Sequence, residues 1–209
     1  MTNRTLMAVA GCLACATAFA SDGVKVWTGE ASATWDTTSQ NWVLGEAPCA
    51  FAQGDSVRID ETSSTAEITG SGMNPLVTEV DITRDLKLSG NLFGSGAGTL
   101  IKNGTGTLTL APASTWSWNA GNLETNLVIN GGTVCSSVRA AESSFCAANG
   151  TITINNGGKL LCYVHCDTGI ASTDAGLAGG EQTVVVNEGG VLDLYTDRNS
   201  SGATATGCH

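Results

Sequence analysis

Proline and charge are both scarce in this chain. Of 209 residues only 3 are proline and only 13% are charged, against 27 glycines. Blocks of Glu, Lys, Leu and Ala, from which long helices are built, are few, so this composition favours turns and strands. Basic residues are scarcer still, 9 against 19 acidic ones. That balance repels a polyanion and removes nucleic acid from the expected partners. The acidity reads as a solubility feature. No apolar run of the roughly 20 residues needed to span a bilayer follows the N-terminus. No transmembrane segment is therefore expected in the mature chain.

The N-terminus itself reads as a targeting segment. Arg4 supplies a positive start, Leu6 to Thr17 a short apolar stretch, and Ala18-Phe19-Ala20 an A-x-A cleavage signal. This predicts a signal peptide over residues 1–20 and a mature chain that begins at Ser21, secreted or held at the cell surface. Val9-Ala10-Gly11-Cys12 also has the form of a lipobox, but it would leave only Leu6 to Ala10 as the apolar core, which is too short. The remaining chain is long enough for one domain or one elongated array. Cys12 and Cys15 leave with the signal. Cys49, Cys135, Cys146, Cys162, Cys166 and Cys208 stay, and in an exported chain six cysteines permit disulfides in any of 15 pairings.

An internal repeat sets the expected fold. Four segments share an apolar residue, an Asn, a Gly shortly after it, and then apolar residues at alternate positions. They are Leu100, Asn103, Gly106, Leu108, Leu110; Leu127, Ile129, Asn130, Gly132, Val134, Ser136; Ile152, Ile154, Asn155, Gly158, Leu160, Cys162; and Val184, Val186, Asn187, Gly190, Leu192, Leu194. The position just before the Asn is apolar in three of them, with Lys102 the exception. The glycines at 106, 132, 158 and 190 recur at steps of 26, 26 and 32. Each unit reads strand, tight Asn/Gly corner, strand, with alternate side chains inward. Asn and Gly suit the corner because both tolerate positive φ. A hairpin would pair the two arms of one unit with each other, and an antiparallel sandwich also spaces short strands evenly. The near-constant step favours a stacked array, because a single unit cannot bury its apolar stripe alone. Leu108, Val134, Leu160 and Leu192 should then form one buried column.

The segment Gly96-Ala97-Gly98-Thr99-Leu100-Ile101-Lys102-Asn103-Gly104-Thr105-Gly106-Thr107-Leu108-Thr109-Leu110 resembles the autotransporter-associated β-strand repeat. Asn126-Leu127-Val128-Ile129-Asn130-Gly131-Gly132-Thr133-Val134 is similar to that repeat's second half. The resemblance covers Gly96 to Val134 well and later units more loosely. It implies an all-β, right-handed parallel β-helix of the kind found in passenger regions of exported adhesins. The chain departs from the family in lacking a run of amphipathic strands for an outer-membrane barrel. Three readings stay open: a fragment of a longer passenger, a stand-alone secreted piece, or a protein held by a partner.

The front of the mature chain differs from the repeats. Trp27, Trp35 and Trp42 precede Gly54-Asp55-Ser56-Val57-Arg58-Ile59, similar to the start of many exported repeat proteins. An array's first unit has an unpaired edge and an open core end, and large indole rings close such an end in few residues. Residues 21–75 are read as an N-terminal cap with early coils and 76–209 as the solenoid repeats, with Asn74-Pro75 at the boundary.

Candidate sites are few. Cys162, His165 and Cys166, completed by Cys208 and His209, have the ligand types of a zinc site. The repeat register instead makes Cys162 a core thiol, and no metal or cofactor is assigned. The same register sets Cys135 outward and argues against a Cys135–Cys162 bridge. Trp116 and Trp118 would share one face of a strand and could stack on a sugar, or cover a hydrophobic patch, or touch another chain. A polysaccharide lyase or hydrolase would need convergent carboxylates. Asp167, Asp174, Asp193 and Asp197 are the local acids, without the constellation catalysis requires. No catalytic residue is assigned. The sequons at Asn103, Asn149 and Asn199 follow from composition. The expectation is a non-catalytic structural or adhesive module meeting a host or environmental glycan or protein, its oligomeric state unspecified.

Overall fold

The computed structural model describes residues 23–94, 96–111, 126–136, 150–164 and 183–196. Every regular element in them is a strand. The strands fall into pairs, one to each of two walls. β1 (Val24–Trp27) and β2 (Thr34–Trp35) form the first rung, followed by a hairpin of β3 (Trp42–Leu44) and β4 (Ala47–Cys49). The next two rungs are β5 (Ser56–Ile59) with β6 (Glu67–Gly70) and β7 (Val77–Asp81) with β8 (Leu86–Ser89). The four repeat units then supply β9 (Thr99–Asn103) with β10 (Thr107–Ala111), and β11 (Leu127–Ile129) with β12 (Gly132–Ser136). They continue with β13 (Thr151–Ile154) and β14 (Gly158–Val164), then β15 (Thr183–Val186) and β16 (Val191–Thr196).

The first wall has nine strands in the order β15-β13-β11-β9-β7-β5-β1-β3-β4, and the second has seven, β16-β14-β12-β10-β8-β6-β2. All pairings are parallel except β1–β3 and β3–β4. Arms of one unit therefore never pair with each other among the described residues; each pairs with its equivalent in the neighbouring rung. This topology is compatible with a β-solenoid.

Alternation explains why these residues make such rungs. In Thr151-Ile152-Thr153-Ile154 the isoleucines are buried and the threonines half-buried, the period-2 signature of a strand with one face on the core. Stacking the rungs turns that pattern into columns. Leu108, Val134, Leu160 and Leu192 stand in direct register on the second wall, with the first three fully buried. On the first wall Val57, Thr78, Leu100, Leu127, Ile152 and Val184 form one column. Both walls contribute to one continuous core. At about 4.8 Å per step, the rungs together rise roughly 30 Å.

The second inward column of the first wall runs Ile59, Val80, Lys102, Ile129, Ile154 and Val186. Here one expectation is corrected. Val186, expected in the repeat core, is 46% exposed, because β15 is the outermost strand of its wall among the described residues. Val184 and Leu192 pack against the core but are only partly buried, for the same reason. Leu100, Leu110, Leu127, Ile129, Ile152 and Ile154 are buried as expected. Cys162 and Leu194 pair in register across β14 and β16; the surroundings of their side chains lie outside the described residues.

Glycine serves the stack by allowing contact between rungs. A Cβ on Gly106 would stand 1.9 Å from the Arg84 carbonyl oxygen of the preceding rung, and Gly132 adopts φ +65°. A larger residue at either position would force the corners apart.

The opposite end is rich in buried aromatic rings. Trp27, Trp35, Trp42 and Phe51 are buried, with Trp42 edge-on to Trp27 at 4.9 Å and to Trp35 at 4.8 Å. Such T-shaped contacts set positive ring edges against π faces. Asn41, also fully buried, satisfies the loop above them. Its Oδ1 accepts from the backbone of Ala31 and Ser32, and its Nδ2 donates to Ser32 Oγ and the Thr34 carbonyl. The β3–β4 hairpin lies against β1 and takes the wall edge.

Candidate functional site

Polar side chains concentrate at the corner where the chain passes from the first wall to the second. Asn103, Asn130, Asn155 and Asn187 stack there one per rung. Asn130 Nδ2 donates to Asn103 Oδ1 at 2.9 Å, Asn155 Nδ2 to Asn130 Oδ1 at 2.6 Å, and Asn187 Nδ2 to Asn155 Oδ1 at 2.6 Å. The repeated Asn is thus explained by amide stacking between rungs. The positive φ expected of the corner is carried by glycines, Gly104 and Gly132 among them.

The ladder continues into charge. Asn103 Nδ2 donates to Glu79 Oε1 at 2.8 Å, and Glu79 Oε2 meets Arg58 Nε at 3.4 Å. Asp81 lies in register with Asn103, so carboxylates succeed amides one rung up. Arg58 reaches Asp81 at 3.6 Å and Asp60 at 4.0 Å, which relieves repulsion between acids on successive rungs. Around this head Arg58, Asp60, Glu61, Thr62, Asp81 and Thr83 line an open depression of about 520 Å³.

The groups in it are already engaged with one another. Asp60 Oδ1 accepts from the Thr62 backbone at 2.9 Å and hydroxyl at 2.7 Å. Glu61 Oε1 accepts from the Thr83 backbone N–H and, at 2.9 Å, from its hydroxyl. Those two bonds, the backbone one foremost, hold the Glu61 carboxyl below its usual range. Arg84 pairs with Glu61 at 3.7 Å and donates to the carbonyls of Thr65 and Ser63. Neither cysteine nor histidine lines the depression. Its chemistry is bracing: the Arg58–Glu79, Arg58–Asp81, Glu61–Thr83 and Glu61–Arg84 contacts join one rung to the next, and Asp60 with Thr62 ties a single corner.

Lys102 lies beneath the same corner and is fully buried. Its ammonium donates to the carbonyls of Asn103, Gly104 at 2.9 Å and Gly131 at 3.5 Å. Burial pushes its pKa down to about 8, only partly offset by the charge of Asp81. The one polar member of an apolar column is therefore a cation held by corner carbonyls.

Of the other residues singled out in the sequence, Trp116, Trp118, Cys146, His165, Cys166, Asp167, Asp174, Asp197, Cys208 and His209 lie outside the described residues. Asp193 pairs with Lys159 at 2.5 Å. Cys49 and Cys135 are free thiols, and Cys135 contacts Thr109 Oγ1 at 3.5 Å. Among the described residues no group of three His, Cys, Asp or Glu side chains is placed to hold a metal. Sequence reasoning missed the Arg58–Glu79–Asp81 head, because β5 to β8 carry no Asn-x-Gly signature. The available signal was alternation in Val57-Arg58-Ile59 and Leu86-Lys87-Leu88, one rung apart from later units at 21 to 22 residues.

No family model, no curated protein and no solved structure matches this chain.

Proposed function

We propose that this chain is an exported, non-catalytic structural or adhesive module of a bacterial surface or secreted protein, built as a right-handed parallel β-solenoid with a Trp-rich N-terminal cap. The observation that carries this reading is the corner ladder from Asn187 to Arg58, in which polar side chains bind one another from rung to rung. Groups used in this way brace a scaffold and are not free to work on a substrate. The resemblance of Gly96 to Val134 to the autotransporter-associated repeat supports the handedness and the class. The segment ending Ala18-Phe19-Ala20 supports export.

In this reading residues 21–75 form the cap with early rungs and 76–209 the repeats, whose outward connections meet a glycan or a protein. The test is expression of the full chain in a bacterium, followed by fractionation and mass spectrometry. Protein found outside the cytoplasm with Ser21 at its N-terminus is expected; uncleaved cytoplasmic protein refutes export. Turnover of acidic polysaccharides, with or without calcium, should be absent. Activity lost on Asp193→Asn would refute the non-catalytic assignment.

A further inference from the structure

Among the described residues, three corner asparagines are followed by glycine: Asn103-Gly104, Asn130-Gly131 and Asn156-Gly157. That dipeptide carries a reaction of its own. The glycine backbone nitrogen attacks the asparagine Cγ, unhindered because glycine has no Cβ. A C–N bond forms, the bond from Cγ to the side-chain nitrogen breaks, and the proton of the backbone nitrogen leaves with ammonia. Water then opens the resulting succinimide at either carbonyl, giving aspartate or isoaspartate.

The reaction needs a side chain free to turn and a corner with room for a small ring. The three sites differ on both counts. Asn103 is half-buried, with its Nδ2 bonded to Glu79 and its Oδ1 to Asn130. Asn130 is exposed, but it donates to Asn103 at 2.9 Å and accepts from Asn155 at 2.6 Å. A Cβ on Gly104 would stand 2.3 Å from the Ile82 carbonyl oxygen, and one on Gly131 2.9 Å from that of Gly104. Both corners therefore sit tightly on the rung before them. Asn156 stands one place beyond the ladder residue Asn155, in a corner that is longer than Asn130-Gly131-Gly132. It is exposed, and its side chain makes no hydrogen bond among the described residues. A Cβ on Gly157 would meet nothing nearer than 3.9 Å. What holds the reacting pair is the bond from the Gly157 N–H to the Gly189 carbonyl, at 3.2 Å.

We propose that Asn156 is a deamidation site of the folded chain, with water as co-reactant, and that the amide ladder shields Asn103 and Asn130 from the same reaction. Such chemistry proceeds through local opening, so its rate falls with each bond that must break first. Asn130 must lose both of its ladder bonds, whereas Asn156 needs only the long Gly157 bond released. The difference of one bond corresponds to about fivefold in rate. The product sets a carboxylate against Gly189, where Asn156 Oδ1 already packs, and isoaspartate also lengthens the corner backbone. The inference rests on the stacked fold and is independent of export.

The test is incubation of the full chain in warm, mildly alkaline buffer, folded and in urea, with peptide mapping by mass spectrometry. In the folded chain Asn156 should convert about fivefold faster than Asn130, with Asn103 slowest; in urea the three rates should converge. Asn156→Gln should remove the fast conversion. Asn155→Ala deletes one ladder bond of Asn130 and should raise its rate about fivefold. Should that variant fail to fold, Asn103→Ala, which deletes the other, should do the same. Conversion of Asn103 or Asn130 in the folded chain as fast as that of Asn156 overturns the proposal. So does an Asn156 that stays intact while the urea sample converts, or an Asn130 rate unmoved in a folded ladder variant.

Discussion

At the head of the array three indoles are sealed among Phe51, Ile59 and Ile68, and a hairpin containing Pro48 lies along the wall. At the tail the equivalent layer is Val184, Val186 and Leu192, each partly open. The rungs between obey one rule throughout, so the difference lies in termination and not in packing style. A stacked protein gets its stability from nearest neighbours. A rung with one neighbour is weaker than a rung with two unless something else replaces the missing contact. Buried indoles and Phe51 lie beside the first rung, whereas Val184, Val186 and Leu192 stay partly open among the described residues.

That contrast can be broken by substitution. The largest effect should come from Trp42→Ala, which empties a fully buried site and should cost about 3–5 kcal/mol. Val184→Ala, in register with buried Leu100 but only half-covered, should cost about 1 kcal/mol. Urea unfolding of both variants measures the gap, and equal losses would show that the two ends are equally well closed.

Lys102→Met comes next and reads the middle of the stack. The folded-state pKa of Lys102 is depressed to about 8 from 10.5, so between those values the unfolded chain binds more protons. Wild-type stability should therefore rise as pH increases through that window and fall away as pH drops toward 8. The change amounts to about 3 kcal/mol at most. The Met variant should lack the slope, and a slope that persists would assign it to another group.

Asn130→Ala should cost about 1–2 kcal/mol, because it leaves Asn103 Oδ1 without its donor and Asn155 Nδ2 without its acceptor. Asn187→Ala breaks a single bond and should cost about half as much. Thermal unfolding separates them, and identical losses would mean that the cost does not scale with the number of ladder bonds broken. The smallest effect should be seen in Asp36→Asn near the head. The backbone N–H of Ser39, with Thr38, lowers the Asp36 pKa to about 2. Wild-type stability from this turn is present above pH 4 and is lost as pH falls through 2; the Asn variant should not show that acid step.

The rungs from β9 onward were legible because Asn, Gly and alternating apolar residues recur at fixed offsets. Their register was legible for the same reason: Leu108, Val134, Leu160 and Leu192 occupy one offset each. The rungs β5 to β8 were not, since Thr78 stands where later units have Leu, Ile or Val, and Asp81 stands where they have Asn. Val186 was misread because its pattern is that of Ile154; exposure depends on what lies above a residue, which its own segment does not encode. The corner site was hidden too, because Arg58, Glu79 and Asn103 are separated by 21 and 24 residues and meet only when rungs stack. Lys102 was visible as an exception, but its carbonyl partners were not.

The amide ladder has one further property. Every Asn side chain in it donates toward the head, and Asn103, Asn130 and Asn155 accept from the rung behind, so the individual amide dipoles align along the stack and add. The donor end of that line meets the Glu79 carboxylate, as an anion does at the start of an α-helix. Polarisation along such a chain strengthens each bond within it, and the orientation of any one amide fixes the orientation of the rest. The array therefore has an electrical direction as well as a structural one, and a unit inserted into it would have to respect both.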